Sequence, residues 1–235
     1  MVFDFRYVLN SLSVAVRYLH VTLLLSVIPL IIGIIFGTLI AVCRKYRIKV
    51  VATVLDIMIP VMKGIPLVLY IFILNFLILK PLDVLSVKYQ WADSLRFIDK
   101  IYIGMFTMSI YAIVIVSETI RSALISVDDG QYEAAYSIGL TRFQSLKNII
   151  IPQALPFAVP VLSNNFIGLI KGSSVVYLIT IVDVMNGALS SAQINYRFLE
   201  AYIAAALIYW VLCLIVERSS ILLEVHIKKF KIVDA

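Results

Sequence analysis

Long apolar segments recur from one end of this chain to the other. A helix needs about 20 residues to cross the hydrocarbon core of a bilayer, and five segments reach that length. They are Tyr18–Cys43, Val50–Leu79, Ile101–Ile125, Pro152–Ile179 and Phe198–Leu223. The chain is 62% hydrophobic and 14% charged, which leaves too little polar surface to cover a water-soluble globule. The sequence therefore predicts an all-α membrane protein with about five transmembrane helices and no soluble domain.

Two of these segments contain residues that interrupt a lipid-facing helix. The second contains Pro60, Gly64 and Pro66, so we expect it to kink or unwind near its middle. The fourth contains polar stretches at 163–165 and 171–174. Because polar groups are costly in lipid, we expect this segment to face protein or a cavity.

Basic residues in the connections predict the orientation. The connection after the first segment carries Arg44, Lys45, Arg47 and Lys49, and the tail after the last carries His226, Lys228, Lys229 and Lys231. Lys and Arg accumulate on the cytoplasmic side of membrane proteins. The N-terminus is therefore predicted outside and the C-terminus inside, which agrees with five crossings. These bases flank apolar segments, so the net charge of +6 does not indicate nucleic acid.

The predicted crossings divide the chain into three parts. Residues 1–17 form an N-terminal external or interfacial segment, residues 18–224 the transmembrane domain, and residues 225–235 a cytoplasmic tail. The first part mixes apolar and aromatic residues with charges, so both an interfacial helix and a disordered tail fit it.

The connection at residues 126–151 is predicted to be cytoplasmic and carries helix signals of its own. Asp128 and Asp129 can cap a helix at Gln131–Ile138, and Glu133 lies in its first turn, where the helix dipole favours a carboxylate. Gly139 follows where a left-handed residue commonly ends a helix.

A second helix is predicted in the same connection. Thr141 and Gln144 form a capping-box pattern for a helix running to Ile150, and Pro152 would begin the next element. Two functions fit a helix–glycine–helix connection on the inner face. It could dock into a groove of a soluble partner, or it could anchor the connection at the membrane surface.

The same connection resembles a known motif. Its residues Glu133-Ala134-Ala135, Gly139, Ile149 and Ile151-Pro152 resemble the EAA loop of ABC importer permeases, with Ile151 where that family has Leu. Flanking segments resemble the polar amino acid permeases of this family: Ser117 to Ala123, Asp129 to Gln131, Pro152 to Ala154, Asn164 to Phe166 and Leu169 to Ser174. Lys63-Gly64-Ile65-Pro66 resembles the family's Arg-Gly-Thr-Pro. The resemblance covers roughly residues 18 to 224.

The resemblance implies a type I importer, in which two permease chains work with two cytoplasmic ATPases and an external substrate-binding protein. The EAA loop would form the coupling helix that sits in a cleft of the ATPase. It implies that Glu133 is the polar contact to the ATPase, that Ala134 and Ala135 allow close packing, and that Gly139 sets the helix angle; Ile149 and Pro152 complete the motif.

The chain lacks a Gly-x-x-x-x-Gly-Lys-Ser/Thr phosphate loop. ATP and Mg are therefore expected in the partner ATPase, and this chain is expected to be neither an enzyme nor the holder of a cofactor or metal.

Polar residues inside the predicted spans are candidates for the substrate pathway, because they are costly there without a purpose or a partner. They are Lys63, Glu118, Asn164, Asn165 and Lys171. Glu118 could contact the amino group of a substrate or pair with Lys171 or Lys63, and the ion pair is the better interpretation. Neighbouring positions on a helix point about 100° apart, so at most one or two of Ser163, Asn164 and Asn165 can face a central pathway. The others would hydrogen-bond between helices.

Three residues on the predicted outer side could meet the binding protein. Arg197 and Glu200 lie at the start of the fifth segment, and Trp91 lies in an outer connection. Each also fits an ordinary interfacial residue.

Other classes of membrane protein compete with an importer permease. An intramembrane enzyme is disfavoured because His20 and His226, the two histidines, share no helix at metal-ligand spacing. An ATP-independent transporter or a structural membrane subunit stays open on the helix signals alone. With the resemblance, we expect an importer permease for a polar amino acid, with cystine as one candidate, that works as a homodimer.

Overall fold

The computed structural model of the chain describes residues 3–88 and 99–233, and these residues form helices joined by short turns. The α-helices, numbered here in chain order, are α1 Phe5–Val16, α2 Leu19–Lys45, α3 Lys49–Lys63, α4 Leu67–Lys88, α5 Lys100–Ile125, α6 Asp129–Ser137, α7 Arg142–Ser145, α8 Ile151–Ser173, α9 Val184–Asn195 and α10 Phe198–Val233. A π-helical turn, Leu146–Ile150, precedes α8, and a 3₁₀ helix, Ser174–Ile179, follows it. The predicted all-α class is confirmed.

Helices α2 and α5 form the centre of the bundle. A Cβ atom placed on Gly33 would lie 3.0 Å from the backbone of Ala112, and one on Gly37 would lie 2.9 Å from the backbone nitrogen of Ser117. Small residues allow membrane helices to approach this closely. Gly33 and Gly37 meet Ala112 and Ser117 in the same order along the chain, so α2 and α5 run parallel.

The predicted break in the second segment separates it into two helices. Helices α3 and α4 meet at 109°, and the turn at residues 64–66 lies between them. The Tyr70 hydroxyl donates to the Met62 carbonyl oxygen at 2.9 Å across this turn. Since α2 and α5 are parallel, the chain between them must return to the first end of the bundle. The bent pair makes that return, because Asp56 of α3 contacts the end of α2 while Ile71 of α4 packs with Leu25 near its start.

Within residues 3–88 and 99–233, four further helices or helix runs are long and apolar enough to span a membrane, and the α3–α4 pair brings the total to five if it counts as one span. Helix α8 runs opposite to α2 and α5. Its first half packs in a cluster with Ala41 and Ala123, and Leu169 near its end packs with Leu25 and Met108. The fourth predicted segment extends to Ile179, but its α-helix ends at Ser173. The remaining residues form the tighter 3₁₀ helix.

Two helices outside the spans complete the bundle. Helix α1 packs its buried face, Val8, Ser11 and Ala15, against α9 and α10. Of the two interpretations of this N-terminal segment, the helix and not the disordered tail therefore agrees with the structure. Helix α9 is not anticipated by the sequence analysis. Asp183 caps it by accepting from the Asn186 backbone N–H at 3.0 Å.

The start of α9 is fixed by buried polar contacts. The Tyr209 hydroxyl of α10 donates to Asp183 at 2.8 Å, and the Val184 backbone N–H donates to the Thr22 hydroxyl of α2 at 3.2 Å. Burial raises the pKa of the Asp183 carboxyl, although the hydrogen bonds that it accepts oppose this shift. These bonds join α2, α9 and α10 at one end of the bundle.

Candidate functional site

The connection between α5 and α8 contains the predicted capped helix. Asp128 caps α6 by accepting from the Gly130 backbone N–H at 2.7 Å, and the helix begins at Asp129, two residues earlier than predicted. Because of this earlier start, Asp129 occupies the first turn, and the prediction that Glu133 lies there is wrong. Gly139 has φ = 83°, the left-handed conformation that the sequence predicts. The Leu140 N–H then donates to the Ala135 carbonyl oxygen at 3.1 Å, which closes the end of α6.

The second helix of this connection starts as predicted but ends differently. The Thr141 hydroxyl and the Gln144 side chain form the reciprocal capping box. The α-helix itself ends at Ser145, and the π-helical turn completes the predicted run to Ile150. Helix α8 then begins at Ile151, so the predicted boundary at Pro152 is confirmed to within one residue.

One face of α6 is buried and the other is exposed. Glu133 and Ala134 are exposed, whereas Ala135 is 1% exposed and packs against the protein, so only Ala134 of the predicted alanine pair lies on the outer surface. Ile149 is half-buried and Pro152 is exposed.

The outer surface also carries large apolar side chains that the sequence analysis missed. Tyr136 is exposed, Ile138 is 74% exposed and Phe143 is 70% exposed. The sequence signal that could have identified them is their apolar character beside the EAA residues. Together with Glu133 and Ala134, they form a surface of mixed character around the end of α6, which we call the α6 surface.

The inner face of α6 is held by α2 and α8. The Lys45 ammonium lies 3.5 Å from the Asp129 carboxylate and 4.8 Å from the centroid of the Tyr132 ring. The Gln153 amide of α8 donates to Gln131 at 2.9 Å. Burial, together with the neighbouring Tyr46 hydroxyl and Asp129 carboxylate, raises the pKa of Tyr132 to about 12. Tyr132 is therefore neutral at physiological pH.

A polar cleft of about 380 Å³ lies between α3, α5 and α8. It brings together three of the five candidate pathway residues, Lys63, Glu118 and Asn165. Its other lining residues are Ile115, Thr119, Ser122, Ala123, Ser126, Phe157 and Val161. A cleft with hydroxyl, amide and charged groups of both signs can bind a small zwitterion.

Glu118 has a different ion-pair partner from the two that the sequence suggests. It accepts from the Arg44 guanidinium of α2, and the pairing with Lys171 or Lys63 is not formed. The Arg44 Nε also donates to Asp56 of α3 at 2.7 Å. The Arg44 side chain is only 4% exposed, so two carboxylates from two helices balance one buried cation.

The two asparagines differ in their positions. The Asn165 amide donates to the Thr119 hydroxyl at 2.7 Å, which joins α8 to α5 at the edge of the cleft. Asn164 is exposed and does not line the cleft, and Lys171 is likewise exposed and outside it. The structure thus separates these two candidates from the other three.

The outer-side candidates are used within the chain. Arg197 pairs with Glu200 at 2.9 Å and lies 4.1 Å from the centroid of the Tyr7 ring. Glu200 is buried and accepts from the Asp4 backbone N–H at 3.4 Å, so these residues join α10 to α1. Trp91 lies outside the described residues. Within the described ranges, no group of three His, Cys, Asp or Glu side chains could hold a metal ion.

Comparisons with known proteins agree with this architecture. The probable amino-acid ABC transporter permease protein PatM of Vibrio harveyi is 30% identical to the chain over 229 residues, which is 97% of this chain and 98% of that protein. The L-cystine transport system permease protein TcyL of Bacillus subtilis strain 168 is 29% identical over 97% of this chain and 92% of its own length.

A solved crystal structure of an amino acid ABC transporter superposes on the chain with a TM-score of 0.80. That structure is 29% identical and covers 96% of this chain and 100% of its own. The fold of this chain thus recurs in a solved amino acid ABC transporter. The family described as binding-protein-dependent transport system inner membrane component matches residues 33–229, and this multi-pass membrane protein belongs to that family.

Proposed function

We propose that this chain is the membrane-spanning permease subunit of an ATP-driven amino acid importer. The observation that carries the proposal is the α6 surface. Its exposed polar and apolar residues lie around a helix that is fixed by a side-chain cap at its start and by a left-handed glycine at its end. Such a rigid, projecting element suits docking to a soluble protein. This sequence has no phosphate loop, so the partner at this surface would be an ATPase that holds ATP and Mg.

The docking surface would lie in the cytoplasm of a prokaryotic cell. Arg44 and Lys45 at the end of α2 lie at the same end of the bundle as α6, since Lys45 contacts Asp129. Basic residues favour the cytoplasmic side, which places the N-terminus outside and the C-terminus inside. A substrate-binding protein would then approach the opposite end.

Glu133 and Gly139 would have distinct roles in coupling. Glu133 is an exposed carboxylate in the middle of α6 and can pair with a cation of the ATPase. Gly139 fixes the direction in which the chain leaves the helix. Ala134 allows close approach from outside, whereas Ala135 packs α6 against the rest of the permease.

The cleft would form part of the substrate path. Lys63 can attract a carboxylate and Glu118 an ammonium group, so the pair suits the two ends of an amino acid. Two relatives are named for amino acids, and one of these for L-cystine. We therefore infer a polar amino acid, with cystine among the candidates.

A second permease chain would complete the pathway. The cleft opens on the surface of a single chain, and exposing its charged groups to lipid would be costly. A second copy of this chain facing the cleft would keep it in water and away from lipid, which favours a homodimer.

Co-purification tests the proposal against an ATP-independent transporter and a structural membrane subunit. We would extract the chain from native membranes in mild detergent and identify the proteins that accompany it. Glu133→Arg combined with Gly139→Val should abolish recovery of an ATPase subunit. Arg6→Glu, a charge reversal on exposed α1 at the other end of the bundle, should leave recovery unchanged.

The recovered complex is then assayed for function. ATP hydrolysis should rise when L-cystine, L-arginine or L-glutamine is supplied with the binding protein. Absence of an ATPase from the native preparation would refute the importer proposal. Equal recovery of the ATPase with the α6 variant would refute the assignment of the α6 surface.

A further inference from the structure

Two consecutive residues at the end of α2 contact two separate functional regions. Arg44 contacts the residues around the polar cleft, and Lys45 contacts the inner face of α6. The sequence alone explains both cations by the positive-inside rule and by the helix dipole, which favours bases in a last helical turn. That explanation predicts solvated side chains, but Arg44 is almost completely buried.

Arg44 connects α2 to both charged walls of the cleft. Its guanidinium bonds Glu118, which lines the cleft directly, and it bonds Asp56 of α3. Asp56 and Lys63 lie seven residues apart on α3, and this spacing places them on one face of a helix. Lys63 lines the cleft two turns beyond Asp56. A displacement of Arg44 would therefore move the positions of both Glu118 and Lys63.

Lys45 connects the same helix end to α6. Its ammonium approaches the Asp129 carboxylate and the face of the Tyr132 ring. Asp129 and Tyr132 are one helical turn apart, so both contacts lie on the inner face of α6. Tyr132 is buried, and its hydroxyl donates to the Leu124 carbonyl oxygen of α5 at 3.4 Å. Because Asp129 is exposed, the ring contact contributes more to positioning than the ion pair does.

We propose that Arg44 and Lys45 are positioning residues that link the movement of α6 to the geometry of the cleft. This inference rests on the proposed function, since it requires an ATPase that moves α6. The two residues share one stretch of helical backbone, so a shift of Tyr132 and Asp129 reaches Arg44 through the end of α2. Arg44 transmits it to α3 and α5 through the two carboxylates.

The test uses the complete importer, with its ATPase and binding protein, in proteoliposomes. Uptake of radiolabelled L-arginine, L-glutamine and L-cystine is measured together with ATP hydrolysis, and the readout is the amino acid imported per ATP. Lys45→Met removes the charge while keeping the length of the side chain. Asp56→Asn removes the negative charge from one Arg44 contact at a half-exposed position, so the fold should tolerate it. Lys49→Gln, an exposed cation that begins α3, is the control.

We expect import per ATP to fall about tenfold in Lys45→Met and in Asp56→Asn, within the range usual for coupling between two sites. ATP hydrolysis should continue, and the ATPase should still co-purify, whereas loss of structure would reduce uptake, hydrolysis and assembly together. Because both changes break one link, the double variant should be no worse than the more impaired single variant. Lys49→Gln should match the unmodified chain.

Three results would overturn this inference while leaving the proposed function intact. They are normal import per ATP in both single variants, parallel loss of uptake and hydrolysis, and effects that multiply in the double variant. Failure of the unmodified complex to import an amino acid with ATP would instead refute the proposed function itself. Arg44→Lys provides a second measurement at the buried position. It keeps the charge but replaces the fork that reaches two carboxylates, and import per ATP should fall in it as well.

Discussion

Replacing Gly139 by Ala isolates the contribution of one backbone angle to the α6 surface. A Cβ atom on Gly139 would meet no atom within 4 Å, so the substitution introduces no clash. Its φ of 83° is left-handed, which costs an L-residue about 1–2 kcal/mol. The lower entropy of the unfolded chain offsets about 0.4–1 kcal/mol of this. We therefore expect a net loss of about 1 kcal/mol in local stability, or roughly a fivefold rise in local opening.

Hydrogen exchange measured by mass spectrometry can detect this change. The Leu140 amide, bonded to the Ala135 carbonyl oxygen across the end of α6, should exchange about fivefold faster in Gly139→Ala. Gly168→Ala is the matched control, because its Cβ also meets nothing but the residue lies in regular α8. That change should leave exchange in α6 unaltered and slightly stabilise its own helix. Unchanged or slower exchange in Gly139→Ala would refute the requirement for a left-handed residue.

Three further predictions concern packing, titration and the cleft. Gly37→Val should separate α2 from α5, because its Cβ would lie 2.9 Å from the Ser117 backbone nitrogen; thermal unfolding in detergent should show a loss of about 1–3 kcal/mol. Burial raises the pKa of Asp183, so the folded protein holds the carboxyl proton more tightly than the unfolded chain does. Stability should therefore fall as pH rises from about 4 through the raised pKa, and Asp183→Asn should remove this dependence of stability on pH. Lys63→Gln should weaken amino acid uptake about tenfold without affecting ATPase recovery. The control Lys80→Gln, at an exposed position, should leave uptake unchanged, and equal uptake in the two variants would exclude Lys63 from the substrate path.

Local signals in the sequence were sufficient for the α6 connection. Asp128, Thr141 and Gln144 cap helices through residues two or three positions away, and Gly139 acts on its own backbone. Each interaction is contained within a few residues, so neighbouring sequence specifies it. The break near Gly64 was predictable for the same reason, although its angle of 109° depends on packing.

Contacts between distant residues could not be predicted in this way. Arg44 lies 74 residues from Glu118, and nothing in the flanking sequence distinguishes it from Arg47, which is exposed. The position of α9 depends on Asp183 meeting Tyr209 of another helix. The π-helical turn before Pro152 was also missed, because it adds one residue to a helical turn without a distinctive composition.

The candidate pathway residues fall into two groups, those whose polar groups are bonded within this chain and those that are exposed. Glu118 is bonded to Arg44 and Asn165 to Thr119, so both serve the packing of this single chain whether or not they also touch substrate. Lys63, Asn164 and Lys171 are exposed on helices that cross the membrane. A cation or amide facing hydrocarbon would be strongly disfavoured, so these side chains need water or protein beyond the chain itself. The second permease chain proposed above would supply that enclosure against α3 and α8.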